Sequence, residues 1–93
     1  MLRPAELVFT IDNIAHIAKH SVIADEVKEV IEGKPIFIGA KLNRIMAIGP
    51  TNFGRALVIV LDKIDNEKYY VVTARDANKK ERLKYEDQKR RWH

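Results

Sequence analysis

From Pro35 onward the chain reads as four short apolar runs, "PIFIG", "RIMAIG", "RALVIVLD" and "KYYVVTA", with little room between them. The intervening "AKLN", "PTNFG" and "KIDNE" are hairpin-length and carry Gly, Pro, Asn or Asp, so an antiparallel meander is the economical topology. The segment before Pro35 has a different period. "ELVFTID" is rich in β-branched and aromatic residues and predicts a short strand, with Asp12 as N-cap of a helix over "NIAHIAKH" that buries Ile14, Ile17 and Ala18. A second helix follows in "ADEVKEVIEG". There Ile23, Val27, Val30 and Ile31 share one face, acids lead, and Gly33 then Pro35 stop it.

The last run opens without a linker into "ANKKERLKYEDQKRRW". Asn78 is a natural cap there, and Glu81 three residues on completes a capping box. This helix is not a core helix: Leu83 stands almost alone, and Tyr85 and Trp92 share a stripe with Glu81 and Gln88. The expected class is therefore α+β: a short strand, two helices, a four-stranded meander and a basic C-terminal helix. Ninety-three residues suit one domain, 1–93.

Charge is unevenly spread. From Asn78 to His93 seven Lys or Arg face three acids, while the other residues balance at ten of each sign, so the whole net charge of +4 lies at the C-terminal end. Glu86 with Arg90 and Asp87 with Arg91 are i,i+4 pairs that account for part of it. Lys79, Lys80, Arg82 and Lys84 lie nearer the helix N-terminus, where the macrodipole disfavours cations, and a bound anion would give that position a reason. A solvated terminal helix is the simpler alternative. Cysteine is absent, which excludes disulfides, thiol nucleophiles and thiolate zinc sites. The longest apolar run, "ALVIVL", falls far short of the ~20 residues of a membrane-spanning helix, and "MLRPAELVFT" lacks a secretory pattern, so a cytoplasmic protein is expected.

Two arginines end apolar strands. If Leu61 pairs with Tyr69, Arg55 falls opposite Arg75, an unfavourable juxtaposition that a phosphate between the guanidinium groups would relieve. A register change of two keeps them on one face and an odd change separates them. Each arginine could instead reach water or meet a carboxylate at its strand end. Lys19 and His20 close the first helix, where the dipole favours cations, and His20 is the best-situated group for proton transfer near pH 7. His16 lies mid-helix and His93 is terminal. No phosphate-cradling glycine loop, metal-ligand spacing or nucleophile elbow is present; "GPTNFG" reads as a hairpin turn. Phe37, Tyr69 and Tyr70 read as core or sheet-face aromatics rather than stacking platforms.

The order "FTID", "AKHSV", "GRALVIV" and "VVTARDANKKERLKYE" resembles the BrnT-like toxins, small ribonucleases of RelE-like fold in type II toxin-antitoxin pairs, over nearly the whole chain. The most specific part comprises Ala74, Arg75, Ala77, Asn78, Lys79, Lys80, Glu81 and Tyr85, with the Lys19–His20 pair and Gly54–Arg55 in matching order. Ile11 stands where the family usually carries tryptophan, Asp76 where a basic residue is common, and Ser21 where glycine usually follows the Lys-His pair. The resemblance implies a cytoplasmic endoribonuclease that needs neither metal nor other cofactor. Its 2′-hydroxyl chemistry would use Arg55 and Arg75 on the phosphate, Lys19 or His20 as acid or base, and Glu81 and Tyr85 to orient neighbours. Lys79, Lys80, Arg82 and Tyr85 would contact RNA. The implied partners are RNA and a cognate antitoxin, through which an oligomer would form. The rival readings are an inactive RNA-binding or partner-binding member of the same fold, and a docking surface for an acidic protein.

Overall fold

The computed structural model describes residues 6–39 and 44–91. Its elements run β1 (Glu6–Val8), α1 (Ile11–Ala18), α2 (Ala24–Glu32), β2 (Ile36–Gly39), β3 (Arg44–Pro50), β4 (Ala56–Lys63), β5 (Lys68–Asp76) and α3 (Lys79–Arg90). Strands β2 to β5 form the anticipated antiparallel meander. β1 adds a fifth strand, parallel to β5, and the sheet order is β1-β5-β4-β3-β2. The connection "AKLN", Trp92 and His93 lie outside the described residues.

Alternation along the strands divides the apolar residues between two faces. Leu57, Ile59, Leu61, Tyr69, Val71 and Ala74 are fully buried on the face that packs against Ile17 of α1 and Val27, Val30 and Ile31 of α2. On the other face Ile36, Ile48 and Val58 form a smaller cluster with Ala77, against which Tyr85 of α3 packs. Helix α3 has no buried residue, in keeping with its sequence, and Tyr85 also donates its hydroxyl to the Lys34 carbonyl at 3.3 Å.

The helix ends differ in part from the sequence expectations. The N-cap of α1 is Thr10, not Asp12: its Oγ1 accepts the Asn13 N–H at 3.2 Å and donates to Asn13 Oδ1 at 2.6 Å. Of the anticipated buried stripe, Ile17 is buried while Ile14 and Ala18 are exposed. Ile23 caps α2 rather than joining its buried face, and Glu26 accepts the Ile23 N–H at 3.1 Å. Asn78 and Glu81 do form the capping box of α3. Of the two anticipated i,i+4 pairs in that helix, Asp87 with Arg91 closes at 3.4 Å, and Glu86 with Arg90 forms no ion pair among the described residues.

The β4–β5 register is the largest departure. Leu61 pairs with Val71 instead of Tyr69, because the turn is tighter than the sequence suggested. Asp65 Oδ1 accepts the N–H groups of Glu67 and Lys68 at 2.8 and 2.9 Å, and the Lys68 carbonyl accepts the Ile64 N–H at 2.9 Å. These backbone donors hold the Asp65 carboxyl below its ordinary range. A bulge follows: Val60 pairs with Thr73, leaving Val72 as the extra residue. Beyond it Val58, not Arg55, lies opposite Arg75. The combined shift is odd, so Arg55 and Arg75 fall on opposite faces of the sheet and no phosphate clamp forms between them.

Candidate functional site

Three connections meet at one end of the sheet: the α1–α2 turn with Lys19 and His20, the β3–β4 loop ending at Arg55, and the β5–α3 junction carrying Arg75, Asp76 and the first residues of α3. Ala77 N–H donates to the Ala56 carbonyl at 3.0 Å, tying the last two together.

The α1–α2 turn is built as a Schellman motif. Val22 N–H returns to the Ile17 carbonyl at 3.1 Å and Ser21 N–H to the Ala18 carbonyl at 2.9 Å. Ser21 adopts φ 59°, the left-handed conformation the motif requires, and Val22 and Ile17 supply its buried apolar contact. The turn leaves the carbonyls of His20 and Ser21 facing away from the helix, and Arg55 takes both. Its Nη1 donates to Ser21 O at 2.6 Å and its Nη2 to His20 O at 3.1 Å. Nη1 also reaches both carboxylate oxygens of Glu26, at 3.1 and 3.2 Å, and Nε donates to Asp76 Oδ1 at 2.7 Å. A guanidinium offers five N–H donors, so this one is largely used by the protein itself. Arg55 thus joins the end of α1, the first turn of α2, the start of β4 and the end of β5.

These contacts fix the charge states. The Asp76 hydrogen bond, against a desolvation penalty and with help from Glu26, raises the Arg55 pKa. Reciprocally, the hydrogen bond from Arg55 holds the Asp76 carboxyl below its ordinary range, with the charges of Arg55 and His20 adding to the effect. His20 therefore stands near Asp76. Its ring also meets the His16 ring edge-on, centroids 5.8 Å apart.

On the opposite face Arg75 makes a bidentate pair with Glu81, Nη1–Oε1 and Nη2–Oε2 both 2.8 Å. Glu81 Oε1 accepts the Asn78 N–H as well, at 2.9 Å, so one carboxylate serves the helix cap and the arginine together. The hydrogen bond from Arg75 is the main cause of the lowered Glu81 pKa, and Glu81 is thereby ionised at neutral pH. The Arg75 side chain remains 38% exposed, enough to meet a ligand while held in place.

The residues selected from the sequence therefore come together at one sheet end, although Arg55 and Arg75 do not share a face. Arg55 is compensated by Glu26 and Asp76, and Arg75 by Glu81. Lys19, Lys79, Lys80 and Arg82 have no carboxylate partner among the described residues. Arg82 instead donates to the Ala77 carbonyl at 3.4 Å, and Tyr85 carries Lys89 over its ring at 5.8 Å. Sequence reading missed Glu26, because Ile23, three residues before it, has no side-chain oxygen to mark a cap, and the part played by Asp76. It also passed over Phe53, a large apolar side chain within a turn-rich stretch. No group of three or more His, Asp or Glu suited to a metal ion occurs among the described residues.

No protein-family profile matches the chain. No curated protein sequence matches it either. Among solved structures, the crystal structure of the Brucella abortus ribonuclease toxin BrnT superposes with a TM-score of 0.66, covering 80% of this chain and 97% of that one at 22% identity. At that identity the likeness is one of architecture, and the chain has the fold of that ribonuclease toxin.

Proposed function

We propose that the chain is a BrnT-family toxin: a single-domain endoribonuclease of a type II toxin-antitoxin pair, acting on RNA in the cytoplasm and neutralised by a cognate antitoxin. The observation that carries this reading is the gathering of His20 with cations lacking carboxylate partners, Lys19, Lys79, Lys80 and Arg82, at one end of a fold shared with a ribonuclease toxin. In the reaction a base takes the proton of a ribose 2′-hydroxyl, whose oxygen attacks the adjacent phosphorus. The P–O5′ bond then breaks as an acid protonates the leaving oxygen, giving a 2′,3′-cyclic phosphate and a 5′-hydroxyl. His20 or Lys19 takes the proton-transfer role. Arg75, oriented by the ionised Glu81, stabilises the crowded phosphorane with Lys79 and Lys80, because fixed positive charge lowers the barrier where negative charge develops. Arg82 and Tyr85 extend the RNA contact along α3. Arg55 acts through the turn it holds, as a positioning residue for Lys19 and His20.

The test is cleavage of single-stranded RNA in the presence of EDTA. Cyclic-phosphate ends are expected, with at least a hundredfold loss of rate in both Arg75→Ala and His20→Ala while their far-ultraviolet circular dichroism is unchanged. Growth arrest on expression, relieved by co-expressing the neighbouring reading frame, is the cellular counterpart. The engagement of Arg55 with Glu26 and Asp76 favours a second reading, an RNA-binding member of the fold without cleavage. Salt-sensitive binding with intact RNA would select it. Absence of both binding and cleavage at low salt would favour an acidic protein partner instead.

A further inference from the structure

The β3–β4 loop, Thr51 to Arg55, is a built object. Thr51 N–H donates to the Arg55 carbonyl at 2.8 Å, Gly54 N–H to the Thr51 carbonyl at 3.0 Å, and Arg55 N–H to Thr51 Oγ1 at 3.1 Å. Asn52 N–H is held by Glu29 Oε1 of α2 at 2.9 Å. Four of its five backbone N–H groups thus have acceptors. Thr51 is buried, and Gly54 takes φ 88°, a conformation that costs glycine little. At the apex of this fixed loop stands Phe53, its side chain 95% exposed, more than any other large apolar residue among those described.

A mobile loop could carry such a ring in and out of contact with the protein. This one is tied to its own backbone and to α2, and it keeps the ring in water. Its loop neighbours Asn52, Gly54 and Arg55 are polar or small, so the ring is presented singly, with its faces free. The loop shares the sheet end where α3 begins, since Ala56, next to Arg55, accepts the Ala77 N–H two residues before Lys79. An aromatic face at the same sheet end as cations without carboxylate partners is a combination that suits single strands: each base has a π-face to stack and each phosphate a cation to approach.

We propose that Phe53 is a base-stacking residue for single-stranded RNA, taking a nucleotide that flanks the phosphate held by Arg75, Lys79 and Lys80. The inference rests on the RNA reading above and adds a subsite to it. The test is fluorescence anisotropy with labelled 2′-O-methyl oligoadenylate and oligouridine, which cannot be cleaved, at low salt. Phe53→Ala and Phe53→Leu are expected to weaken oligoadenylate binding about tenfold, and oligouridine binding less, because purines present the larger face. Phe53→Trp should retain wild-type affinity or exceed it. The dependence on salt should keep its slope in every variant, since stacking releases no counterions. Wild-type affinity in Phe53→Leu would overturn stacking, because leucine is apolar but not planar. Unchanged affinity in Phe53→Ala, with wild-type protein binding normally, would overturn the subsite and leave the RNA reading standing. Failure of the wild-type protein to bind either oligonucleotide would remove both. Loss of antitoxin capture in Phe53→Ala, with RNA affinity intact, would reassign the ring to a protein interface and likewise overturn the proposal.

Discussion

Ser21 holds a conformation that a side chain makes costly. A non-glycine residue in the left-handed region carries roughly 1–2 kcal/mol of strain, while glycine introduced there loses about 0.4–1 kcal/mol through the greater freedom of the unfolded chain. Ser21→Gly should therefore leave stability unchanged or raise it by up to about 1.5 kcal/mol, and Ser21→Val should lower it by about 1–2 kcal/mol, read from urea denaturation midpoints. Arg55 repeats the lesson of that turn. In sequence it is an arginine at the start of an apolar strand, and nothing nearby announces that its acceptors are the carbonyls of His20 and Ser21. Both acceptors are main-chain atoms whose direction depends on the φ of Ser21, which no residue type encodes uniquely. Of the two sequence alternatives for this arginine, meeting carboxylates at a strand end is the one the fold adopts.

At the scale of elements, the opening of α3 shows what local sequence can specify. Asn78 and Glu81 sit at capping-box spacing, and the box is present. What the spacing did not disclose is that Glu81 also grips Arg75 across the strand–helix junction. Because that contact depresses the Glu81 pKa, the stability it contributes is fully present above the unfolded-state value of about 4.5 and is lost as pH falls through the lower folded-state value. Glu81→Gln should cost about 1 kcal/mol at pH 7, a modest figure because the pair is partly exposed, and the difference from wild type should shrink toward zero in acid when unfolding is followed at several pH values. The β4–β5 hairpin was legible as a hairpin but not in its register. The run "KYYVVTAR" contains no glycine or proline to mark a bulge at Val72, and Asp65 closes the turn from within a stretch that looks longer than it is. The helix-facing periodicity of α2 survived because Val27, Val30 and Ile31 are enough to define a face. In α1, only eight residues long, Ile17 alone is buried, and the spacing of Ile14, Ile17 and Ala18 showed a shared face but not how much of it is covered.

For the whole molecule, the relevant quantity is where charge is left over. The carboxylates Glu26, Asp76 and Glu81 are occupied by Arg55 and Arg75, so the long-range field at this end falls to Lys19, Lys79, Lys80 and Arg82. Replacing Lys79 or Lys80 with alanine should weaken RNA binding by a similar factor for every sequence. Each replacement should also reduce the slope of log affinity against log salt by about 0.7, the single-strand value per phosphate contact, in titrations between low and moderate salt. Composition located this surplus at the C-terminal end, but the contribution of Lys19 from the other half of the chain required the fold.

The short β1 has a different kind of significance. The meander assembles from neighbours along the chain, whereas Glu6 to Val8 must find Lys68 to Tyr70 across most of its length, and in parallel orientation. Loop-closure entropy makes such a contact slow to form and dependent on partners already in place. β5 is thus an interior strand only once β1 has returned to it, and until then its outer edge can accept another strand. Because synthesis runs from β1 toward β5, the segment that closes the sheet leaves the ribosome before its partner exists and must wait for it.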